Sequence, residues 1–518
     1  MLLTFLDCSL DTRRYQLRRG GAVWPVEPLV FDFLVHLATH RDRTVGREEL
    51  LDRLWHGKVV TDAALSTCVK SARRAIGDDG HRQACIATVP RRGYRFLAPV
   101  QIQDDDAAGG RAGSAPSTDR YASVVVMPLR AEIGAGTDID ASVSATHLYG
   151  LTHDLIARLA RLRSTAVIAH GSVLALQARG FGALEAAQLL QADYVVSGAV
   201  RLHPRGLAVD VELADAHSNH VLWDDTFVAQ QDHLLEMLDD IGHFVVANIA
   251  SEVEAAERAR SLRLPAHSLN AWLAYHRGLG HMYRFERANN EQAQQFFQAA
   301  IQQAPSFAPA HAGLSFTHFQ NAFQSWGNAA HASNLALQAA QDSLAADDRQ
   351  PAAHLALGRA YWLLGRQDDA LQALQQTVEL SPSFALAHYS LAFVQAQAGD
   401  PQAAIGAADR SRRLSPHDPL LFGMLGARVI ALLRLGQFAD AADWAIQAAA
   451  QSNAHAHIRG IAACSLALAG RQRDAQTQLE QIRRQRPTYR IADLLAAFRL
   501  DAQTTRLFRD GLRQAGLG

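Results

Sequence analysis

Asp348, Pro382 and Pro416 close successive units of this chain at a spacing of 34 residues. That length is two short helices and their turns. Such a pair buries its apolar face only by stacking on the next pair, so the period predicts an all-α array over 263–490. In the unit 351–384 the recurring positions are Leu357, Gly358, Tyr361, Ala370, Leu374 and Pro382, and in 456–487 they are Ala463, Ala475, Leu479 and Pro487. The unit near 272–305 supplies Gly278, Ala293, Phe297, Ala300 and Pro305. Units 308–348 (Leu314) and 419–453 (Leu425, Gly426) carry about nine and about three extra residues, around Gln324–Ala332 and before Ala441. About six units result, closed by a capping helix within 491–518. His311, His354 and His388 fall at the fourth position of their units. Equivalent positions lie about 10 Å apart, too far to share a metal, so the recurrence marks a packing role.

The first 100 residues follow different periods. Short strands at Leu2–Leu6, Tyr15–Leu17 and Ala22–Val23 precede helical patterns at Pro28–Thr39, Arg47–Trp55 and Thr61–Ile76. In the last, Leu65, Val69, Ala72 and Ile76 share one face, and Ser66, Thr67, Lys70, Ser71, Arg73 and Arg74 occupy the others. Thr61 or Asp62 can cap its start and Gly77 its end. A hairpin then turns at Pro90–Arg91–Arg92–Gly93 and returns through Tyr94 and Phe96. Residues 1–100 hold 16 Arg and Lys against 11 Asp and Glu, although the whole chain carries a net charge of -1. A polar, basic helix beside an arginine-tipped hairpin suits duplex DNA. The helix enters the major groove while the tip reaches backbone or minor groove. The expected contacts are Ser66, Thr67, Lys70, Ser71, Arg73, Arg74, Arg91, Arg92 and Tyr94, with a surface salt bridge as the competing use of Arg73.

These residues resemble the OmpR/PhoB-type winged-helix DNA-binding domain. The landmarks are Val45–Gly46–Arg47–Glu48–Glu49–Leu50–Leu51 with Leu54–Trp55, Thr61–Asp62–Ala63–Ala64–Leu65, and Thr88–Val89–Pro90–Arg91–Arg92–Gly93–Tyr94–Arg95–Phe96. The form of the hairpin is similar to the CadC-like and HilA-like branch, which has no receiver domain. The resemblance implies that the loop His56–Val60 can touch RNA polymerase; a turn without a partner is the alternative. Cys68, Ser71 and Pro90 stand where the family often has basic residues, which shifts weight to phosphate contacts by Arg91 and Arg92. The 34-residue units resemble tetratricopeptide repeats, whose concave groove takes helices or extended peptides.

Between the two lie a polar, Gly/Ala/Asp-rich stretch at 101–120, read as a flexible linker, and a change of periodicity at 121–230. There, strands at Ser123–Leu129, Thr165–His170, Tyr194–Leu202, Leu207–Ala214 and Val221–Val228 alternate with helices at Thr146–Leu162 and Ala183–Gln191. His203–Pro204–Arg205–Gly206 forms a hairpin turn. Leu151–Thr152–His153–Asp154–Leu155, Ala192–Gly198 and Leu222–Trp223–Asp224 resemble the TolB-N-terminal-like α/β module. Residues 231–262 read as a connecting helix.

Several chemistries find no support. Cys8, Cys68, Cys85 and Cys464 lack CxxC spacing, which argues against disulfides and zinc, and Cys68 fits packing better than redox sensing. The N-terminus lacks a signal-peptide pattern, and no apolar run reaches the ~18–20 residues of a membrane span, so a cytoplasmic protein is expected. Asp138, Asp140, His153 and Asp154 fit solvated loop and helix positions better than a metal or acid–base cluster. Neither a GxxxxGK[ST] phosphate loop, nor GxSxG, nor HExxH occurs. No catalytic residue, cofactor or metal is expected.

The chain therefore reads as multidomain: an N-terminal winged helix-turn-helix (α+β), a small central α/β domain and a C-terminal all-α solenoid. The function expected is a transcriptional regulator on double-stranded promoter DNA, with the array binding a protein or peptide or mediating self-association. The competing readings are a scaffold whose winged helix docks proteins, and a nucleotide-signalling protein using the central domain. Residues 1–100 should fold alone, and pairing through 121–518 should raise avidity by about 10²–10⁴.

Overall fold

The computed structural model describes residues 2–11, 16–20, 22–24, 26, 28–47, 49–51, 62–78, 82–90, 92–103, 121–132, 141–177, 180–203, 206–230 and 234–518. The chain divides into two compact units, 1–114 and 115–518.

In the first unit, strands β1 (Leu2–Phe5), β2 (Cys8–Asp11), β3 (Gln16–Arg19) and β4 (Ala22–Trp24) form an antiparallel sheet, ordered β4-β3-β2-β1. Leu3 pairs with Leu10 and Leu10 with Leu17, and the three are fully buried in one core with Phe31, Leu34 and Leu37 of the helix Pro28–Thr39. Residues 47 and 49–51 are helical, followed by the helix Asp62–Ala75. The hairpin pairs β5 (Ile86–Val89) with β6 (Gly93–Phe96). Gly93 is obligatory here. Its φ is +136° and a Cβ would lie 2.0 Å from the Val45 carbonyl oxygen.

Two expectations need correction. The strand Cys8–Asp11 was missed, because its alternation is interrupted by the turn at Leu6–Asp7. Residues 101–103 are not linker but strand β7 (Gln101–Gln103), which pairs with Leu2–Thr4 and completes the sheet edge. Its short polar Gln–Ile–Gln pattern carries no sequence signal, and the partner strand supplies the order. Residues 104–120 lie outside the described residues, as do Thr61 and the loop 56–60.

The second unit opens with a mixed sheet of β8 (Ser123–Val126), β9 (Arg130–Glu132), β10 (Ala166–Val167), β11 (Tyr194–His203), β12 (Gly206–Asp215) and β13 (His220–Gln230). The order is β10-β8-β11-β12-β13, with β9 also beside β11. Both faces are covered. Val124, Val126 and Val196 turn to the helix Leu234–Leu262, while Val125, Met127 and Val195 pack with Val173, Ala186 and Ala187 on the other face. Of the expected strand Thr165–His170 only Ala166–Val167 is strand: His170 already begins the helix His170–Gln177, an element not foreseen. The hairpin pairs His203 with Gly206, and Pro204 and Arg205 lie outside the described residues.

Six helix pairs follow: Ala271–Met282 with Arg287–Gln303, Ala308–Phe323 with Ala329–Ala346, Pro351–Leu363 with Gln367–Leu380, Ala385–Ala398 with Pro401–Leu414, Leu421–Arg434 with Phe438–Ala449, and Ala456–Leu468 with Gln472–Gln485. Small residues set their approach. A Cβ on Gly278 or Gly313 would reach 2.7 Å from the Phe297 ring, and one on Gly358 would meet Leu374 at the same distance. The extra residues of the second pair lengthen its helices to 16 and 18 residues. The tail is two helices, Ile491–Ala497 and Ala502–Ala515, not one, since Phe498 leaves the helical region with ψ 156°.

The histidines at the fourth repeat position share one role. The Nε2 atoms of His311, His354 and His388 lie 2.9, 2.8 and 2.9 Å from the carbonyls of Pro305, Asp348 and Pro382, six residues earlier. Each clamps the turn that starts its helix pair.

The segment 231–262 is more than a connector. Ile241, Val245, Val246, Ile249 and Val253 are buried against the sheet and the first repeat. Glu257, 1% exposed, accepts hydrogen bonds from Tyr194 Oη (2.6 Å) and Trp272 Nε1 (2.5 Å), joining sheet to array. Further along, His243 meets Ser383 at 2.8 Å and Arg410 donates to Asp240 at 2.6 Å, so the helix reaches the fourth repeat.

The inner side of the array is also filled. Phe285 packs on Phe422 (4.9 Å between centroids), and Phe323 packs on Phe498 (5.3 Å) and His457 (5.2 Å). Asn453 Nδ2, between repeats five and six, donates to the Tyr283 carbonyl of repeat one at 3.0 Å. An open groove along these repeats, expected for a peptide partner, is thus occupied by the chain's own helix and aromatic side chains. The repeat period does not show this, because it fixes stacking between neighbours and is silent about contacts across the array.

Candidate nucleic-acid interface

The helix Asp62–Ala75 is amphipathic because its apolar positions recur every three to four residues. Leu65, Cys68, Val69, Ala72 and Ala75 are buried in the core of the first unit. Ser66, Thr67, Lys70, Ser71 and Arg74 lie on the opposite side and are all exposed. Residues 66, 70 and 74 follow one another at a spacing of four and so share a face. The helix ends at Gly77 (φ +73°), and the next residue builds the approach to the hairpin. Both carboxylate oxygens of Asp78 accept from backbone: Ala84 N at 2.8 Å, Cys85 N at 3.0 Å and Ile86 N at 2.9 Å. This buried acid fixes the hairpin relative to the helix. Three consecutive donors could not be read from sequence.

Arg73 is committed to the fold. Its guanidinium donates to the Ile86 carbonyl (2.8 and 3.2 Å) and to Thr88 Oγ1 (2.9 Å), tying the helix to β5. The competing use was thus a backbone tie and not a salt bridge. Tyr94 is withdrawn as a DNA contact. It is 5% exposed, packs edge-on against Phe33 at 6.2 Å, and exchanges backbone hydrogen bonds with Val45 at 2.9 and 3.0 Å. The alternation along β6 turns Tyr94 and Phe96 inward and Arg95 outward, so Arg95 is the exposed cation that the sequence reading passed over. Arg92 is exposed at the tip, and Arg91 lies outside the described residues.

Cys68 faces the core, with Sγ 3.8 Å from the Leu29 carbonyl. A basic side chain at this position would therefore point away from DNA. Burial pushes the Cys8 thiol up to about 12 and that of Cys85 to about 11, so neither offers a thiolate near neutral pH. Among the described residues, one group has metal-ligand spacing, His36, His40 and Glu49. The Glu49 carboxylate is already held by Arg43, with both hydrogen bonds at 2.7 Å.

The family described as "Transcriptional regulatory protein, C terminal" matches residues 22–96, the span that contains this helix and hairpin. Residues 22–96 are a domain of that family. A second family, described as "TPR repeat", matches residues 358–399. The transcriptional regulatory domain is similar to two curated proteins. One is the transcriptional activator CadC of Escherichia coli, 35% identical over 86 residues, covering 16% of this chain and 17% of CadC. The other is the phosphate regulon regulatory protein PhoB of Klebsiella pneumoniae, 32% identical over 91 residues, covering 17% of this chain and 39% of PhoB. The matches thus span well under half of those relatives. Among solved structures, the Klebsiella pneumoniae RstA DNA-binding domain in complex with RstA box is 26% identical, with 18% of this chain and 95% of that one covered and a TM-score of 0.17. The chain thus joins an OmpR/PhoB-type DNA-binding domain to C-terminal tetratricopeptide repeats. Both matched families are non-enzymatic in kind. No helix among the described residues is long and apolar enough to cross a membrane.

Proposed function

We propose that this chain is a transcriptional regulator that binds promoter DNA in a sequence-specific way. The carrying observation is the split of the helix Asp62–Ala75 into a fully buried face and an outward face of Ser66, Thr67, Lys70, Ser71 and Arg74. That outward face enters the major groove, and Arg92, with Arg91, reaches the flanking backbone or minor groove. With few long side chains on the helix, phosphate contacts supply most of the affinity. The protein works in the cytoplasm, where the chromosome lies, and is not an enzyme. The loop His56–Val60 is offered as the contact to RNA polymerase. Residues 121–230 are carried as a TolB-N-terminal-like domain. The sheet covered on both faces supports that reading.

With the inner side of the repeats filled, protein partners and a second copy are assigned to the outer surface of unit 115–518. Full-length protein is expected to bind a promoter more tightly than the isolated DNA-binding unit, through self-association. Genome-wide occupancy of the tagged protein, followed by salt titration on a bound site, tests the proposal. Arg91→Ala with Arg92→Ala should lower the salt slope by about two units, at ~0.9 for each phosphate no longer neutralised. An unchanged slope removes the hairpin from the interface, and absence of occupied sites removes the function.

A further inference from the structure

The second unit contains a cavity of about 180 Å³ bounded by three parts of the chain. Leu162, Ser164 and Thr165 come from the α/β domain, Ala247–Glu254 from the helix Leu234–Leu262, and the rest from the first helices of repeats one to four and the start of repeat five. Its walls are mainly apolar and aromatic, including Trp272, Phe316, Leu355 and Phe384. An apolar cavity of roughly 150 Å³ already admits benzene. This one is therefore the right size for a small molecule and far too small for a peptide.

One wall is cationic. Arg359 is 9% exposed, its guanidinium carbon sits 4.3 Å from the centre of the Phe316 ring, and its Nε donates to Ser390 Oγ at 3.0 Å. Its Nη2 is buried without a hydrogen-bond partner among the described residues. A buried guanidinium N–H left unmade is costly, and native structures rarely keep one without a use. His276, 2% exposed on the same cavity, also leaves both ring nitrogens without partners among the described residues.

The carboxylates that face the cavity do not answer this need. Glu254 pairs with Arg258 and receives the Tyr283 hydroxyl. Asp418 accepts from Leu420 N at 2.8 Å and from Ser415, and burial raises it to about 6. The acids thus have their donors, and although Asp418 lies near enough to act on Arg359 through its charge, no carboxylate among the described residues forms an ion pair or hydrogen bond with that guanidinium. Filling that position takes an acceptor from outside, and a planar carboxylate matches the guanidinium fork.

We propose that this cavity binds a small monocarboxylic acid, with its carboxylate on Arg359 Nη2 and its aromatic or aliphatic body against Phe316, Leu355 and Trp272. The site goes beyond the DNA-binding reading and does not depend on it. Because the ligand would touch the α/β domain, the long helix and the repeats together, its binding is coupled to the packing of all three.

Benzoate is the probe, titrated calorimetrically into the full chain at pH 7.5, with benzamide and benzylamine as neutral and cationic counterparts. Saturable binding of benzoate at one site, at least tenfold tighter than benzamide, is the expected result. Arg359→Met should weaken benzoate at least tenfold, and Ala312→Leu, which fills the cavity while keeping Arg359, should abolish binding. The benzoate–benzamide comparison on the unmodified protein holds even if Arg359→Met fails to fold. Equal binding of benzoate and benzamide, preference for benzylamine, or no saturable binding of benzoate overturns the proposal.

Discussion

In the DNA-binding unit the cations point outward, and in the repeat unit several point inward. Lys70, Arg74, Arg92 and Arg95 ride on a helix and hairpin whose other faces are apolar. Arg359 is buried, with an aromatic ring against its guanidinium. Outward cations, set along one surface, suit a polyanion whose charges are spread in space and whose counterions they displace. An inward cation recognises one group in one geometry, and the surrounding low dielectric makes each hydrogen bond it makes or lacks count for more. Arg73 stands between these cases, bonded to the hairpin strand it positions.

Acid should separate the two units most strongly. Burial depresses His276 and His457 to about 3 and His243 to about 4, and drives His455 the same way. A group depressed on folding gives stability that is full above its unfolded value of 6.5 and is lost as pH falls toward the folded value. Each such histidine costs on the order of 1 kcal/mol per pH unit below that point. Asp418, raised to about 6, works in the opposite direction between pH 6 and 3.8, and burial raises Glu254 likewise, but these two acids stand against six histidines, since burial also lowers His318 and His388. In the first unit, the hydrogen bonds from Arg43 hold Glu49 at about 2, so its contribution is lost only between pH 4.5 and 2. Thermal unfolding followed from pH 7.5 to 5 should show the repeat transition falling by several degrees while the DNA-binding unit stays put. Parallel decline of both would break the comparison.

Glu257→Ala should have the next largest effect, about 3 kcal/mol in denaturant unfolding of the second unit. It leaves the Tyr194 hydroxyl and the Trp272 indole N–H buried without their acceptor. A loss under about 1 kcal/mol would mean that sheet and array are held together by apolar packing alone. A fragment ending at Val100 should be less stable than one ending at residue 106 by about 1–2 kcal/mol, since it lacks the strand paired with Leu2–Thr4. Equal melting of the two fragments would return residues 101–103 to the linker. The smallest effect sharpens the comparison within one helix. Arg73→Ala should cost about 1 kcal/mol of stability in the first unit, whereas Arg74→Ala should leave stability unchanged and lower the salt slope of DNA binding by ~0.9. The reverse pattern would exchange the roles of the two arginines.

Much of the architecture was legible because its signals are local. The 34-residue period located the six helix pairs, and the alternation Tyr94–Arg95–Phe96 already separated inward from outward positions in β6. Reading Tyr94 as a contact ignored that alternation. What stayed hidden depends on residues far apart in the chain. Arg73 finds its carbonyl 13 positions away, Glu257 joins Tyr194 to Trp272, and Gln101–Gln103 becomes a strand only because Leu2–Thr4 lies beside it. The filled interior of the array belongs to the same class. Phe323 and Phe498 look like ordinary core residues of their own repeats, yet they meet across the array.

The hydrogen bond from Asn453 to the Tyr283 carbonyl bears on how such a gene can change. In an open stack of repeats, duplication or deletion of one unit creates or removes a single interface and leaves the others as they were. Here the end of the fifth repeat returns to the first, and Arg499 of the tail donates to the Leu363 carbonyl of the third at 2.6 Å. An inserted or deleted unit would move both donors away from their acceptors and separate the aromatic rings that pack with them. Point substitution remains open to this chain, while growth by whole repeats is closed to it.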